Sequence, residues 1–573
     1  MKRLIYILFL FMTIGLNAQY TSIQDLLDNE YDLVQHFLTY DTASTGMYVG
    51  YYYPPRWIQY CDTTTGTISF AIQSGNGSGY FALSDSLLTI NSTPVIGTYY
   101  LIIKVTGSSG WSVSGTAQIK VVDADICSFD YVPAAGSWSS DSVYLYERGS
   151  DYSSIDIDLG DDDHNITIGT WGVGDKPEFN ECFIGDPPLG GGIDLGSDSC
   201  IIYSLHFNDG VLIEPSIYDS LIDLTVDDWV SNGAIYQLPS DESDWKQQPL
   251  YIENCWTVNS IVQHGIKTHN AATIRNCVSG GSTDGHAYSL GGTNDIRYSY
   301  GYNVNQAGVE AAGDSTDIRM CAFYDCLSAV FMINGTPWGD NRNQGDTAMY
   351  NIFTYNYASQ YSGIDVQHAN DCYIAYNYFA NNYNGVYLYA DVSNNNYGIK
   401  IHANYFTNHS ENAIWADGET DSIDITFNVF DTVTDYAIEL TGGVGYNIIN
   451  NTLYNEGISN SGTIDSCYNN IYSSIDGTIT NSGTNLTTST DTIYIEQSTS
   501  NYRAQENATN IVGQGTYITW LIGVTDFYGN SIISPLNIGA ANNKFADFDM
   551  YLQDIKQNTF LRGVRINLYN TRD

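Results

Sequence analysis

Two rhythms of apolar and polar residues divide this chain. From about residue 60 to 123, apolar and polar positions alternate, as in Thr67-Ile68-Ser69-Phe70-Ala71-Ile72 and again over Tyr99 to Val105 and Gln118 to Val122. Alternation with period two, broken by Gly and Ser clusters, predicts short strands of a β-sandwich. Upstream, Ile23, Leu26, Leu27, Leu33, Val34, Phe37 and Leu38 recur at near-helical spacing and predict a short helix. Beyond residue 129 a longer period takes over. Cys255, Cys277, Ser299, Cys321, Asn351, Asn377, Asn404, Asn428, Asn451 and Asn470 follow one another at intervals of 22, 22, 22, 30, 26, 27, 24, 23 and 19 residues. Three positions before them stand Ile252, Ile274, Ile296, Ile318, Ala348, Ile374, Ile401, Ile425, Ile448 and Cys467. Two positions after the later ones stand Phe323, Phe353, Phe379, Phe406, Phe430, Leu453 and Tyr472.

A repeat of this length with several short strands cannot bury its own apolar face, so copies must stack. Stacking places equivalent residues one inter-strand step apart, roughly 4.8 Å. The Ile and Phe columns then become inward ladders, and the Asn column a row of amides bonded to the coil above and below. The fold class is all-β: a right-handed parallel β-helix of about ten or more coils over residues 129–541, preceded by a small β-sandwich within an N-terminal segment of 19–127 and followed by a cap or tail at 542–573.

The first residues read as an address. Lys2 and Arg3, an apolar run from Leu4 to Leu16 and the small residue Ala18 have the form of a secretory signal over residues 1–18, which implies a secreted protein. The apolar stretch is too short for a comfortable membrane span, and no later one is longer. Twenty basic against 64 acidic residues give a charge of −44, or −46 once Lys2 and Arg3 are removed. That excess repels phosphate and excludes nucleic acid as a general partner. Ten Cys are scattered rather than densely framed. Cys182 with Cys200 and Cys321 with Cys326 are the local pairs a disulfide would join, whereas a stack of buried thiols suits Cys255 and Cys277.

Two resemblances extend this reading. The stretch from Ile68 through Gly97-Thr98-Tyr99-Tyr100 to Val122 resembles the later half of a cadherin-like or immunoglobulin-like domain. Residues 141–152 (DSVYLYERGSDY) and 165–180 (NITIGTWGVGDKPEFN) look like the opening coils of pectate-lyase-like β-helix proteins. Residues 501–515, 525–530 and 534–540 resemble their closing segment. This second resemblance implies a polysaccharide-active protein with its site on the outer face of a sheet in the middle coils. It covers lyases, hydrolases, epimerases and non-catalytic adhesins, and so specifies architecture better than substrate.

Chemistry-bearing residues cluster at Gln263-His264-Gly265-Ile266-Lys267-Thr268-His269 and, one coil on, Thr283-Asp284-Gly285-His286. A lyase needs a base for the C5 proton, an acid for the leaving oxygen and a group that neutralises the uronate carboxylate. Lys267 or His269 supplies the base, and His286 or Arg297 neutralises or donates, with His264 beside them. Glu253, Arg275, Arg297 and Arg319 recur at strict 22-residue steps. They predict an outward column that either docks uronate carboxylates or is neutralised by Glu253, Asp295 and Asp317. A hydrolase would use paired carboxylates, for which Asp284, Glu310 and Asp365 are the candidates. Thr283-Asp284-Gly285 and His264-Gly265 partly resemble polygalacturonase motifs, but in reversed order and without the paired Asp. Trp338 and Arg342 on a long insertion, and Trp415 on a later coil, complete the substrate-binding set. No metal-ligand motif is present. Ca2+ is the one cofactor left open, as a bridge to an acidic glycan. The expected partner is an extracellular polysaccharide. The expected activity is β-elimination on a uronate-containing glycan, with a non-catalytic adhesin or a glycoside hydrolase as alternatives.

Overall fold

A computed structural model describes residues 47–49 and most of 68–540; the segments 238–249, 334–344 and 541–573 are among those outside it. The signal, the helix expected near residue 30, Trp338, Arg342 and the C-terminal tail therefore lie outside the described residues.

The N-terminal part forms an antiparallel four-stranded sheet, in the order Met47–Val49, Ser112–Asp123, Gly97–Gly107, Ile68–Ser74, with a separate hairpin of Phe81–Ser84 and Leu87–Ile90. All further large sheets are parallel. Among the described residues sixteen strands make the first sheet; among them are Leu250–Glu253, Ala272–Arg275, Asn294–Arg297 and Asp317–Arg319. The second and third strands of each coil join in a 25-stranded sheet that carries two ladders. They merge where one long strand, such as Tyr300–Ala311 or Ala322–Ile333, serves both and its register shifts. The chain is thus the parallel β-helix that the repeat and the pectate-lyase-like resemblance imply.

The ladders follow from the repeat. Ile252 pairs with Ile274, and Ile274 with Ile296, each fully buried. The Phe column stacks ring on ring, Phe379 and Phe406 at 4.7 Å and Phe406 and Phe430 at 5.0 Å. Each coil leaves the first sheet through a residue with positive φ. Asn254, Asn276, Tyr298, Met320, Tyr350, Tyr376, Ala403, Phe427, Asn450 and Asn469 all lie between 53 and 59°. This left-handed conformation costs a non-glycine residue about 1–2 kcal/mol and turns backbone polar groups into the core.

The residue immediately after each bend is the Cys/Ser/Asn column, and it satisfies those groups. Asn404 Oδ1 accepts the Asn377 N–H at 2.9 Å and an Nδ2–H of Asn377 at 3.0 Å. Asn404 Nδ2 also donates to the Ile374 carbonyl at 2.9 Å. The same triplet recurs at Asn377, Asn428, Asn451 and Asn470. In the early coils the thiols of Cys277 and Cys321 face the matching carbonyls of Ile252 and Ile296 at 3.8 and 3.7 Å. Cys is therefore a weak donor in the Asn position rather than a purely apolar filler. All eight described Cys are buried free thiols, so neither Cys182–Cys200 nor Cys321–Cys326 is bridged. A second corner repeats the device: Asn382 Oδ1 accepts the Asn356 N–H.

Asn404→Ala removes an acceptor from the Asn377 N–H and a donor from the Ile374 carbonyl, both buried. The expected loss is about 3 kcal/mol, read as a lower melting temperature and faster hydrogen exchange in residues 374–430. An unchanged exchange pattern there would contradict the ladder's role.

Candidate functional site

On the ladder formed by the third strands of the coils, alternate side chains point away from the core. The register aligns Tyr236, Lys267, Ser289, Glu310, Phe331, Asp365, Tyr387, Trp415 and Glu439 in one outward column. Three residues before each strand's column position runs a second line at the corner: His264, His286, Ala307, Ser328, Ser362, Asn384 and Asn412. Sequence reasoning selected six members of this assembly, Lys267, Glu310, Asp365, Trp415, His264 and His286, and also His269 beside them. It missed Tyr236, Ser289, Ser328, Asn384, Asn412 and Glu439. Their signal was the fixed offset of three residues between the two lines.

The centre lies at Lys267. Its Nζ sits 5.3 Å from the Tyr236 ring centroid, and His269 packs edge-on against the same ring at 5.8 Å. Burial lowers the Lys267 pKa below the ordinary lysine value, opposed by Glu310. His264 and His286 stack at 5.2 Å with planes 3° apart. Their positions depend on the close-packed glycines that follow or precede them: a Cβ on Gly265 would lie 1.7 Å from Ser279 Oγ, and one on Gly285 1.6 Å from the Gln263 carbonyl oxygen.

Backbone contacts set the tautomers. His286 Nδ1 accepts the Ala307 N–H at 3.0 Å, and His264 Nδ1 accepts the His286 N–H at 3.3 Å. In the neutral rings the proton is therefore on Nε2. His286 Nε2 lies 3.4 Å from Glu310 Oε2, which also accepts from Ser289 Oγ at 2.7 Å. Burial, helped by His286 and Lys267, holds His264 down to about 3; burial and Lys267 hold His269 down to about 4. Burial lowers His286 as well, against the pull of Glu310. The centre thus offers an amine that holds its proton less tightly than a free lysine, and two imidazole donors that are neutral at neutral pH.

Further along the column Asp365 is 1% exposed and accepts a hydrogen bond from Ser328 Oγ. Burial raises its carboxyl to about 7, against hydrogen bonds from Ser328 and Ser362. Tyr387 and Trp415 stack at 4.5 Å. Asp284 stands apart, exposed in the bend before His286.

The arginine column is not an outward docking strip. Arg275 is 1% and Arg297 7% exposed, and both lie on the first sheet, away from the Lys267 column. Asp295 pairs with Arg275 and with Arg297, at 2.8 Å for the latter; Asp317 holds Arg297 at 3.3 Å and Arg319 at 2.8 Å. Asp recurs two residues before Arg, on the same side of the strand, and alternates with it across the coils. This is the neutralised network, in which Arg275 and Arg297 are buried and Arg319 keeps 28% of its side chain exposed. Among the described residues no group of three or more His, Cys, Asp or Glu is placed to hold a metal ion, so no step is assigned to Ca2+. No helix among them is long and apolar enough to cross a membrane.

Two measurements test these assignments. Arg275→Ala leaves Asp295 short of a buried partner and is expected to cost about 3–5 kcal/mol while leaving glycan binding unchanged. A weaker affinity without loss of stability would return Arg275 to the site. Asp365 has a folded pKa above the unfolded value of 3.8, so the folded state binds more protons between pH 3.8 and about 7. Stability contributed by this group is present below that window and lost as pH rises through it. Asp365→Asn is expected to raise the melting temperature at pH 8 and to leave it unchanged near pH 4.

No family model matches the chain, and no curated protein matches. Among solved structures, pectate lyase Pel9A aligns over 73% of this chain and 98% of its own, at 8% identity and a TM-score of 0.32. The catalytic domain of a GH87 alpha-1,3-glucanase aligns over 64% and 79%, at 11% identity and a TM-score of 0.37. XylC in complex with xylose aligns over 45% of this chain at 12% identity and a TM-score of 0.25, and the chain spans 37% of its length.

Proposed function

We propose that this protein acts outside the cell on a polysaccharide and cleaves a uronate-containing glycan by β-elimination at the Lys267 centre. One observation carries the reading: a half-buried lysine with a lowered pKa stands in an outward column beside two neutral imidazoles whose Nε2–H groups face the same side. Lys267, deprotonated, takes the C5 proton. As the C4–O bond breaks, the proton taken by Lys267 passes to the leaving glycosidic oxygen, while the Nε2–H of His264 donates a hydrogen bond to the developing enolate oxygen. Glu310 holds His286 in that tautomer. With the arginines committed elsewhere, hydrogen bonds from these imidazoles replace a guanidinium as the stabiliser of the uronate carboxyl.

The test is ultraviolet absorbance of the unsaturated product, with purified protein and a panel of uronate and sulfated polysaccharides, with and without Ca2+. Lys267→Ala is expected to lower kcat about 10²–10⁴-fold. Because the base must be unprotonated, activity rises with pH, and its midpoint falls below the ordinary lysine pKa of 10.5. A flat trace on every glycan, or full activity in Lys267→Ala, would overturn the reading.

Hydrolysis is a second reading, and Asp365 is the observation that favours it. Asp365 keeps a proton to about pH 7 and lies two coil steps, about 10 Å, from Glu310 in the same column. That spacing approaches the separation of an inverting acid–base pair. New reducing ends without ultraviolet absorbance would identify it. Retention of a glycan without any product would identify a binding protein.

A further inference from the structure

On the outer face of the third-strand ladder three corner side chains reach a carboxylate one coil further on in the outward column. His286 meets Glu310 at 3.4 Å, Ser328 donates to Asp365, and Asn412 Nδ2 donates to Glu439 Oε2 at 2.7 Å. By the same step Asn384 faces Trp415, because Tyr387, three residues after Asn384, pairs with Trp415. Trp has no acceptor to offer. Asn384 Oδ1 is already used by the Asn412 N–H at 3.1 Å. Asn384 is fully buried, its Nδ2 has no partner, and neither has the buried Nε1 of Trp415. Two N–H donors on successive coils thus lack the acceptor that His286, Ser328 and Asn412 find one coil on. Leaving a buried donor unsatisfied costs about 1–3 kcal/mol each.

The missing acceptor has a definable chemistry. Glu439 lies one coil beyond Trp415 and Asp365 one coil before Tyr387, while Asp417 accepts from Thr441 at 2.7 Å and lies 3.5 Å from the Tyr387 hydroxyl. This surround repels a carboxylate or sulfate. A neutral oxygen, hydroxyl or acyl carbonyl, takes two donors without that penalty, and the Tyr387–Trp415 pair supplies apolar surface for a sugar ring. We propose that the Asn384–Trp415 step is a subsite for an uncharged sugar residue, whose oxygen accepts from these two donors. This rests on the reading that the face binds a glycan. The subsite lies six coil steps, about 29 Å, from Lys267 in the outward column. It therefore makes the substrate a mixed polymer, with an acidic residue at the lysine and a neutral one here.

Equilibrium binding of neutral oligosaccharides of glucose, mannose and N-acetylglucosamine, followed by calorimetry on the full chain, tests the subsite. At least one series is expected to bind at millimolar concentration or below. Trp415→Phe, which keeps the ring and removes the N–H, is expected to weaken it about 5-fold or more. Asn384→Asp keeps the acceptor for Asn412 and places a carboxylate beside the Trp415 N–H; it is expected to raise the melting temperature and abolish binding. Failure of every neutral series to bind would overturn the proposal. So would a Trp415→Phe protein that gains stability but keeps wild-type affinity, since the donor would then be a structural orphan. Lys267→Ala separates the two readings: loss of elimination with neutral binding retained supports both, and an absence of elimination in the wild type leaves the subsite standing if binding persists.

Discussion

Everything in this molecule depends on how the core receives the backbone polar groups at each bend. A left-handed residue closes the first strand of a coil and turns an N–H and a carbonyl inward, where no water can meet them. The next side chain must accept from one coil and donate to another. Asn does both, and from Asn351 to Asn470 it does so without interruption. Because each amide spans two coils, the ladder also locks the register. A slip by one residue would break every bond in it and carry the Ile column out of the core.

That locked register creates the chemistry. Residues far apart in sequence, such as Tyr236, Lys267, Ser289 and Glu310, become neighbours at inter-strand distance on a rigid face. Rigidity keeps the histidines dry and neutral and holds Lys267 against Tyr236, which is what lowers their affinity for protons. It also dictates economy of charge. Columns of like charge at this spacing repel, so Asp295 and Asp317 interleave with the arginines, and Ser328 and Asn412 support single carboxylates.

Much was legible in advance, and for a definite reason. The Ile, Phe and Asn columns recur at every coil, so the spacing alone establishes parallel stacking. The cluster at 264–269 and 286 was visible as a local enrichment of titratable groups. Glu310, Asp365 and Trp415 were visible as isolated candidates on later coils. The arginine column shows the limit. Its 22-residue period was read correctly, but periodicity carries no information on burial, and the Asp two residues earlier shares its face and neutralises it. Ser289, Asn384 and Glu439 gave no signal of their own, because small polar residues are common in this chain and acquire a role only through the group one coil away.

The sequence by itself determined the coil, the inward ladders and the residue types available for proton transfer, because each is set by local spacing and by what a dry core tolerates. The tertiary structure decided which of those residues meet. Partnership across coils depends on the three-residue offset between corner and column and on inter-coil lengths that vary along the chain. Only stacking converts that offset into contact, drawing His286 to Glu310 and Ser328 to Asp365, and leaving Asn384 and Trp415 facing each other with no acceptor between them.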